Sequence, residues 1–107
     1  MANTYVNAKV DLTTTDITTL YTCAALTTSI VKSILVSDDS GSGDTITVTI
    51  TNTSDAIFSL FKVKAVSANT TVELLTAPLV VEAGEILKVQ AATTNRLHVV
   101  ASILEIT

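Results

Sequence analysis

Hydrophobic and polar positions alternate along much of this chain. From Thr45 to Thr51, in the stretch DTITVTITNTSD, the alternation is unbroken. Ile46, Val48 and Ile50 fall on one side; Thr45, Thr47, Thr49 and Thr51 fall on the other. A period of two places successive side chains on opposite faces of a strand. The same period recurs in Val6, Ala8, Val10 and Leu12, which alternate with Asn7, Lys9 and Asp11. Further short runs are ITTLYTC, SIVKSILV, IFSLFKVKAV, TTVELL, APLVV, ILKVQAA and RLHVVASILEI. Turn residues separate them: SDDSGSGD at 37–44, NTSDA at 52–56, SAN at 67–69 and EAGE at 82–85, where Gly84 is free to take positive φ. Pro78 cannot donate to a ladder, so APLVV reads as a short or edge strand. No helical period is sustained. The pattern predicts about nine strands in a single all-β domain over residues 1–107, an antiparallel sandwich of jelly-roll or immunoglobulin-like type. Residues 1–11 are placed to serve as an extended N-terminal arm.

Two segments are apolar on both faces. In the last strand Leu97, Val99, Ala101 and Ile103 form one face, and Val100, Leu104 and Ile106 populate the other. SIVKSILV, at 29–36, also carries apolar residues on both sides. A two-faced strand is covered on both sides, whereas an outer face of a two-layer sandwich normally meets water. The expectation is a further covering layer, a neighbouring subunit. The candidate contact residues are therefore Tyr5, Val6, Lys9 and Val10 near the N-terminus, Thr45, Thr47, Thr49 and Thr51 in the threonine row, and His98, Val100, Leu104 and Ile106 in the last strand.

Composition sharpens this picture. Of 107 residues, 48% are hydrophobic and only 15% charged, against about 25% charged in ordinary soluble domains. Mean hydropathy is +0.55. Yet no apolar run approaches the roughly 18 residues that a membrane helix needs, and the N-terminus lacks the basic start and apolar stretch of a secretory signal. Burial between subunits is the simplest outlet for the apolarity. The net charge of −4 and scattered basic residues argue against a phosphate backbone as ligand. Two Tyr, two Phe and no Trp leave little platform for stacking bases or sugars.

The sequence offers little chemistry. His98 is the only histidine and Cys23 the only cysteine. Neither has a spacing partner that would make a metal site or an activated nucleophile. Glu82 and Glu85 flank one turn but lack a cleft, and SDDSGSGD lacks the ligand spacing of an EF-hand loop. No glycine-rich phosphate loop occurs. Asn52 and Asn69 each begin an N-x-[ST] pattern, which without a secretion signal is not expected to be glycosylated. No cofactor and no catalytic residue is expected. The threonines outside 45–51 are mostly adjacent pairs, which point to opposite faces and build no flat array.

Three stretches carry a resemblance: TTLYT at 18–22, SIVKSILVSDDS at 29–40, and TVELLTAPLVVEAGEILKVQAATTNRLHVVASILEIT at 71–107. Together they resemble a family of small structural proteins of tailed bacteriophages. In such proteins a strand ending in LYT leads through a small-residue loop to a VKSI strand. A VELL…PLVLEAGDxLKV hairpin and a closing VxxSxLEI strand follow. This chain departs from the pattern in YTCAALTT, where Ala24, Ala25 and Leu26 stand where Pro and Gly are common. The resemblance implies a β-sandwich that coats or joins parts of the virion, a capsid decoration (cement) protein or a neck, tail or fibre component. It implies the major capsid protein or other virion proteins as partners and a homo-oligomer, made in the bacterial host cytoplasm. A host-glycan binding module is the reading from another class, and the scarcity of aromatics weighs against it.

Overall fold

The structure, a computed structural model, describes residues 2–107. Among these residues nine strands form: β1 (Asn3–Asp11), β2 (Thr18–Thr22), β3 (Thr28–Asp38), β4 (Asp44–Thr51), β5 (Ile57–Val66), β6 (Thr71–Glu73), β7 (Leu79–Val81), β8 (Ile86–Ala91) and β9 (Leu97–Ile106). They make two antiparallel sheets. One has the order β1-β9-β3-β6, with β7 also on β3; the other has the order β2-β8-β4-β5. Both β6 and β7 pair with β3, at Leu35–Ser37 and Ser29–Val31 respectively, so they are one strand interrupted at 74–78. Counted so, first pairs with last, second with seventh, third with sixth and fourth with fifth. That is one long hairpin folded over itself, the jelly roll.

The inner faces follow the alternation. Ile46 and Val48 of β4, Leu87, Val89 and Ala91 of β8, and Leu97, Val99, Ala101 and Ile103 of β9 are all buried in one apolar cluster. Ile50 faces the same way, opposite Leu87. Burying each large aliphatic side chain is worth about 1.5–3 kcal/mol, which locks the register of these strands.

The mixed pattern of SIVKSILV has a local cause. The pairing of β3 with β9 slips between Val31 and Ser33. This bulge lets Val31, Ile34 and Val36 all face inward, although Val31 and Ile34 are three apart. The carboxylate of Glu73 fastens the bulge. It accepts the Ser33 hydroxyl and the backbone N–H groups of Ile34 (2.8 Å) and Leu75 (3.2 Å). Glu73 is the last residue of β6, so the same carboxylate marks where the sixth strand breaks. Beyond the break Pro78 precedes the three residues of β7, an edge strand as its proline requires.

The N-terminal segment read as an arm lies in the sheet. Asn3 to Asp11 pair residue by residue with Ile106 to His98, and two backbone hydrogen bonds between Ala2 and Thr107 continue the ladder. Beside it, β1 has a free edge. The tight turn at 82–85 also forms: Gly84 has φ +84°, and a Cβ there would lie 2.7 Å from Thr53 Cγ2.

Candidate interaction surfaces

The outer face of the β1-β9-β3-β7 sheet collects half of the contact residues expected from the sequence. Tyr5 lies opposite Leu104, Leu104 opposite Ile30, and Ile30 opposite Val80. This apolar row crosses four strands. Its ends are open to solvent, with Tyr5 74% and Val80 52% exposed. Four residues along β9, Lys9, Val100, Leu35 and Glu73 form a second row. Asn7, Ser102 and Ser33 lie between the two, and Asp11, His98, Ser37 and Thr71 form the last row. Tyr5, Lys9, His98, Val100, Leu104 and Ile106 thus share one surface.

Val6 and Val10 are not on it. Strand alternation turns them inward, where they pack against the core. The threonine row lies on the other sheet altogether, flanked by Gln90, Lys88 and Ile86 of β8. It is not uniformly wet. Thr47 Oγ1 accepts the backbone N–H of Val63 (3.1 Å) across a double bulge in β5. Thr51, with Ile86 on one side and Ile57 on the other, is only 5% exposed, and its hydroxyl has no hydrogen-bond partner. The twelve candidates therefore divide between two outer faces and the core.

Several surface residues were missing from that set. Ile30, Leu35 and Val80 complete the rows above; the first two sit in the two-faced SIVKSILV, and Val80 in the apolar run after Pro78. Leu26 in the β2–β3 loop is 93% exposed, and Val63 on β5 is 60% exposed. Nothing in the local pattern singled out these two.

Polar side chains converge at one end of the sandwich. Tyr21 of β2 reaches across to the opposite sheet, donating to Glu105 and lying 2.7 Å from the Ser29 hydroxyl. Burial and the bond to Glu105 push its phenol up to about 12. These bonds tie the two sheets together at this end. The buried Cys23 thiol sits 3.2 Å from Ser29 Oγ and 3.3 Å from the Thr27 carbonyl. At the other end, Asp11 lies 3.2 Å from His98 Nε2 and Asp39 lies 3.8 Å from Nδ1. The two carboxylates address opposite nitrogens and cannot share one ion with the ring. In the 37–44 loop, Asp38 accepts from Ser40 N–H and Oγ, and the Ser40 hydroxyl holds its carboxyl below the usual range. Asp44 accepts from Thr45 and Thr93 backbone N–H groups. These carboxylates organise the loop. Among the described residues no group of three or more His, Cys, Asp or Glu is arranged to hold a metal.

No protein-family model and no curated protein matches the sequence. Solved structures with a similar shape exist. One is a pentameric capsid protein isolated from metagenomic phage sequences, 20% identical, with TM-score 0.49, covering 92% of this chain and 58% of that one. A second structure of such a protein, solved by iodide phasing, gives 20% identity and TM-score 0.47, covering 92% of this chain and 66% of that one. A chain of the infectious bursal disease virus Gt strain gives 10% identity and TM-score 0.48, covering 98% of this chain and 30% of that one. The chain thus spans less than two-thirds of each of these structures.

Proposed function

We propose that this chain is a non-enzymatic structural protein of a phage virion, a capsid decoration protein that binds across neighbouring capsid subunits. The observation that carries the reading is the in-register apolar row Tyr5–Leu104–Ile30–Val80 on an uncovered sheet face. Three strands of nine to eleven residues, with the three-residue β6 and β7 beyond β3, make a face of about 600 Å² by ordinary strand spacing and rise. A standard interface takes about 800 Å² per partner, so this one face supplies most of a contact. The family resemblance of the three sequence stretches supports the same reading. The polar clusters, which fasten strands and loops, add no reaction to it.

The mechanism is passive. The outer face of the five-stranded sheet rests on capsid subunits, with its apolar row desolvated and its Lys9, His98 and Asp11 rim left wet. Each contact contributes modestly, and repetition over the shell multiplies the effect. The net charge of −4 keeps the outward side soluble. Quantitative mass spectrometry of purified virions tests this. The chain should be present in a number comparable with the major capsid protein. A few copies per particle would place it in the neck, tail or fibre and sink the decoration reading.

A further inference from the structure

Five non-glycine residues have positive φ: Leu26, Asp55, Val63, Asn69 and Asn95. Asp and Asn tolerate left-handed backbone. A leucine does so poorly, and a β-branched valine there is a genuine outlier. Leu26 (φ +61°) and Val63 (φ +53°) are the two exceptions to the chemical preference, and both side chains point into solvent. The chain uses Gly at three other left-handed positions, 41, 43 and 84. Glycine at 26 or 63 would form the same loop and the same bulge with less strain. The strained apolar side chains do nothing for the isolated fold, so their use lies outside it.

Their surroundings are complementary. Leu26 borders a shallow hollow with Val80 and Glu82, and Glu85 accepts the Glu82 backbone N–H at 2.8 Å. Val63 stands between Lys62 and Lys64, both exposed, on an edge strand. It borders a hollow of about 330 Å³ with Thr45, Thr47 and Gln90, roomy enough for one side chain. One strained apolar residue thus has Glu82 at its hollow, and the other has Lys62 and Lys64 as its chain neighbours.

We propose that Leu26 of one copy inserts beside Val63 of a second copy, with Glu82 facing Lys62 and Lys64. The contact joins two different patches, so it is heterologous: it propagates around a ring or along a filament and does not close as a two-fold dimer. It covers the Thr45–Thr47 end of the threonine row. It touches the apolar row only at its Val80 end, which borders the Leu26 hollow, and it goes beyond the virion role and does not depend on it.

Sedimentation equilibrium on the full chain tests the contact. The wild type should associate. L26G and V63G should each weaken association by about tenfold or more. In dilute solution each should also raise the thermal midpoint, by about 4 °C, because the strain is relieved. E82K and the double variant K62E/K64E should each weaken association, and the three changes combined should restore it by swapping the charges. A chain that stays monomeric at every concentration overturns the proposal and leaves the capsid count unaffected. So do glycine variants with a lowered midpoint, or a combined variant that associates no better than E82K alone.

Discussion

The threonine row offers a test in which chemically identical changes take opposite signs. Thr51 and Thr47 lie on the same face of β4, four residues apart. The Thr51 hydroxyl is buried between Ile86 and Ile57 without a hydrogen-bond partner. An unpaired buried hydroxyl costs about 1–3 kcal/mol, and a change to an apolar group of the same shape recovers part of that. T51V should therefore stabilise the fold by about 1 kcal/mol, raising the thermal midpoint by about 5 °C. Thr47 is different, because its Oγ1 accepts the Val63 N–H at 3.1 Å and holds the β5 bulge. T47V deletes that acceptor and should cost about 1 kcal/mol. Thr49, half-buried between Lys88 and Ser59, should change by less than about 0.5 kcal/mol as T49V. Urea unfolding followed by far-ultraviolet circular dichroism measures all three, with the denaturant slope unchanged. If T51V and T47V move stability in the same direction, the division of roles along the row is wrong.

Two further outcomes follow from the polar side chains. Burial raises the Glu73 carboxyl, but the bonds from Ser33, Ile34 and Leu75 outweigh it and hold the group below its ordinary 4.5. Its contribution is complete above pH 4.5 and is lost as pH falls through the lowered folded value, so E73Q should flatten the acid limb of a stability-against-pH curve. E73A, which leaves the Ile34 N–H without an acceptor, should cost about 2 kcal/mol in urea unfolding at neutral pH. For Tyr21 the sign reverses. With its phenol raised from 10.0 to about 12, stability should be full below pH 10.0 and decline as pH rises towards 12. Y21F should remove that decline and cost about 1 kcal/mol at neutral pH, read by the same titration.

The inner faces were legible because alternation is enforced by burial. Ile46, Val48, Val99 and Ala101 fall where the period puts them. The same period turns Val6 and Val10 away from Tyr5 and Lys9, so the four residues form no single contact. Other features have no local signal. The bulge that brings Val31 and Ile34 to one face depends on the Glu73 carboxylate, which lies 39 residues from Ile34. Tyr21 meets Glu105 across 84 residues. The interruption of the sixth strand had half a signal, in Pro78, and its other half in a glutamate that reads as an ordinary surface residue. Leu26 and Val63 contradict local preference outright, so no propensity argument could have put them at positive φ. Sequence patterns report what is locally consistent, and these two residues stand out because they are not.

The claim that this chain coats a capsid is tested most directly by electron cryo-imaging of whole virions. Repeated density for a jelly roll of 11.2 kDa should cover the outside of the capsid lattice, with the Tyr5–Leu104–Ile30–Val80 row turned towards the shell. Density confined to the neck, tail or fibres, or a capsid-bound domain with that face turned to solvent, would contradict it.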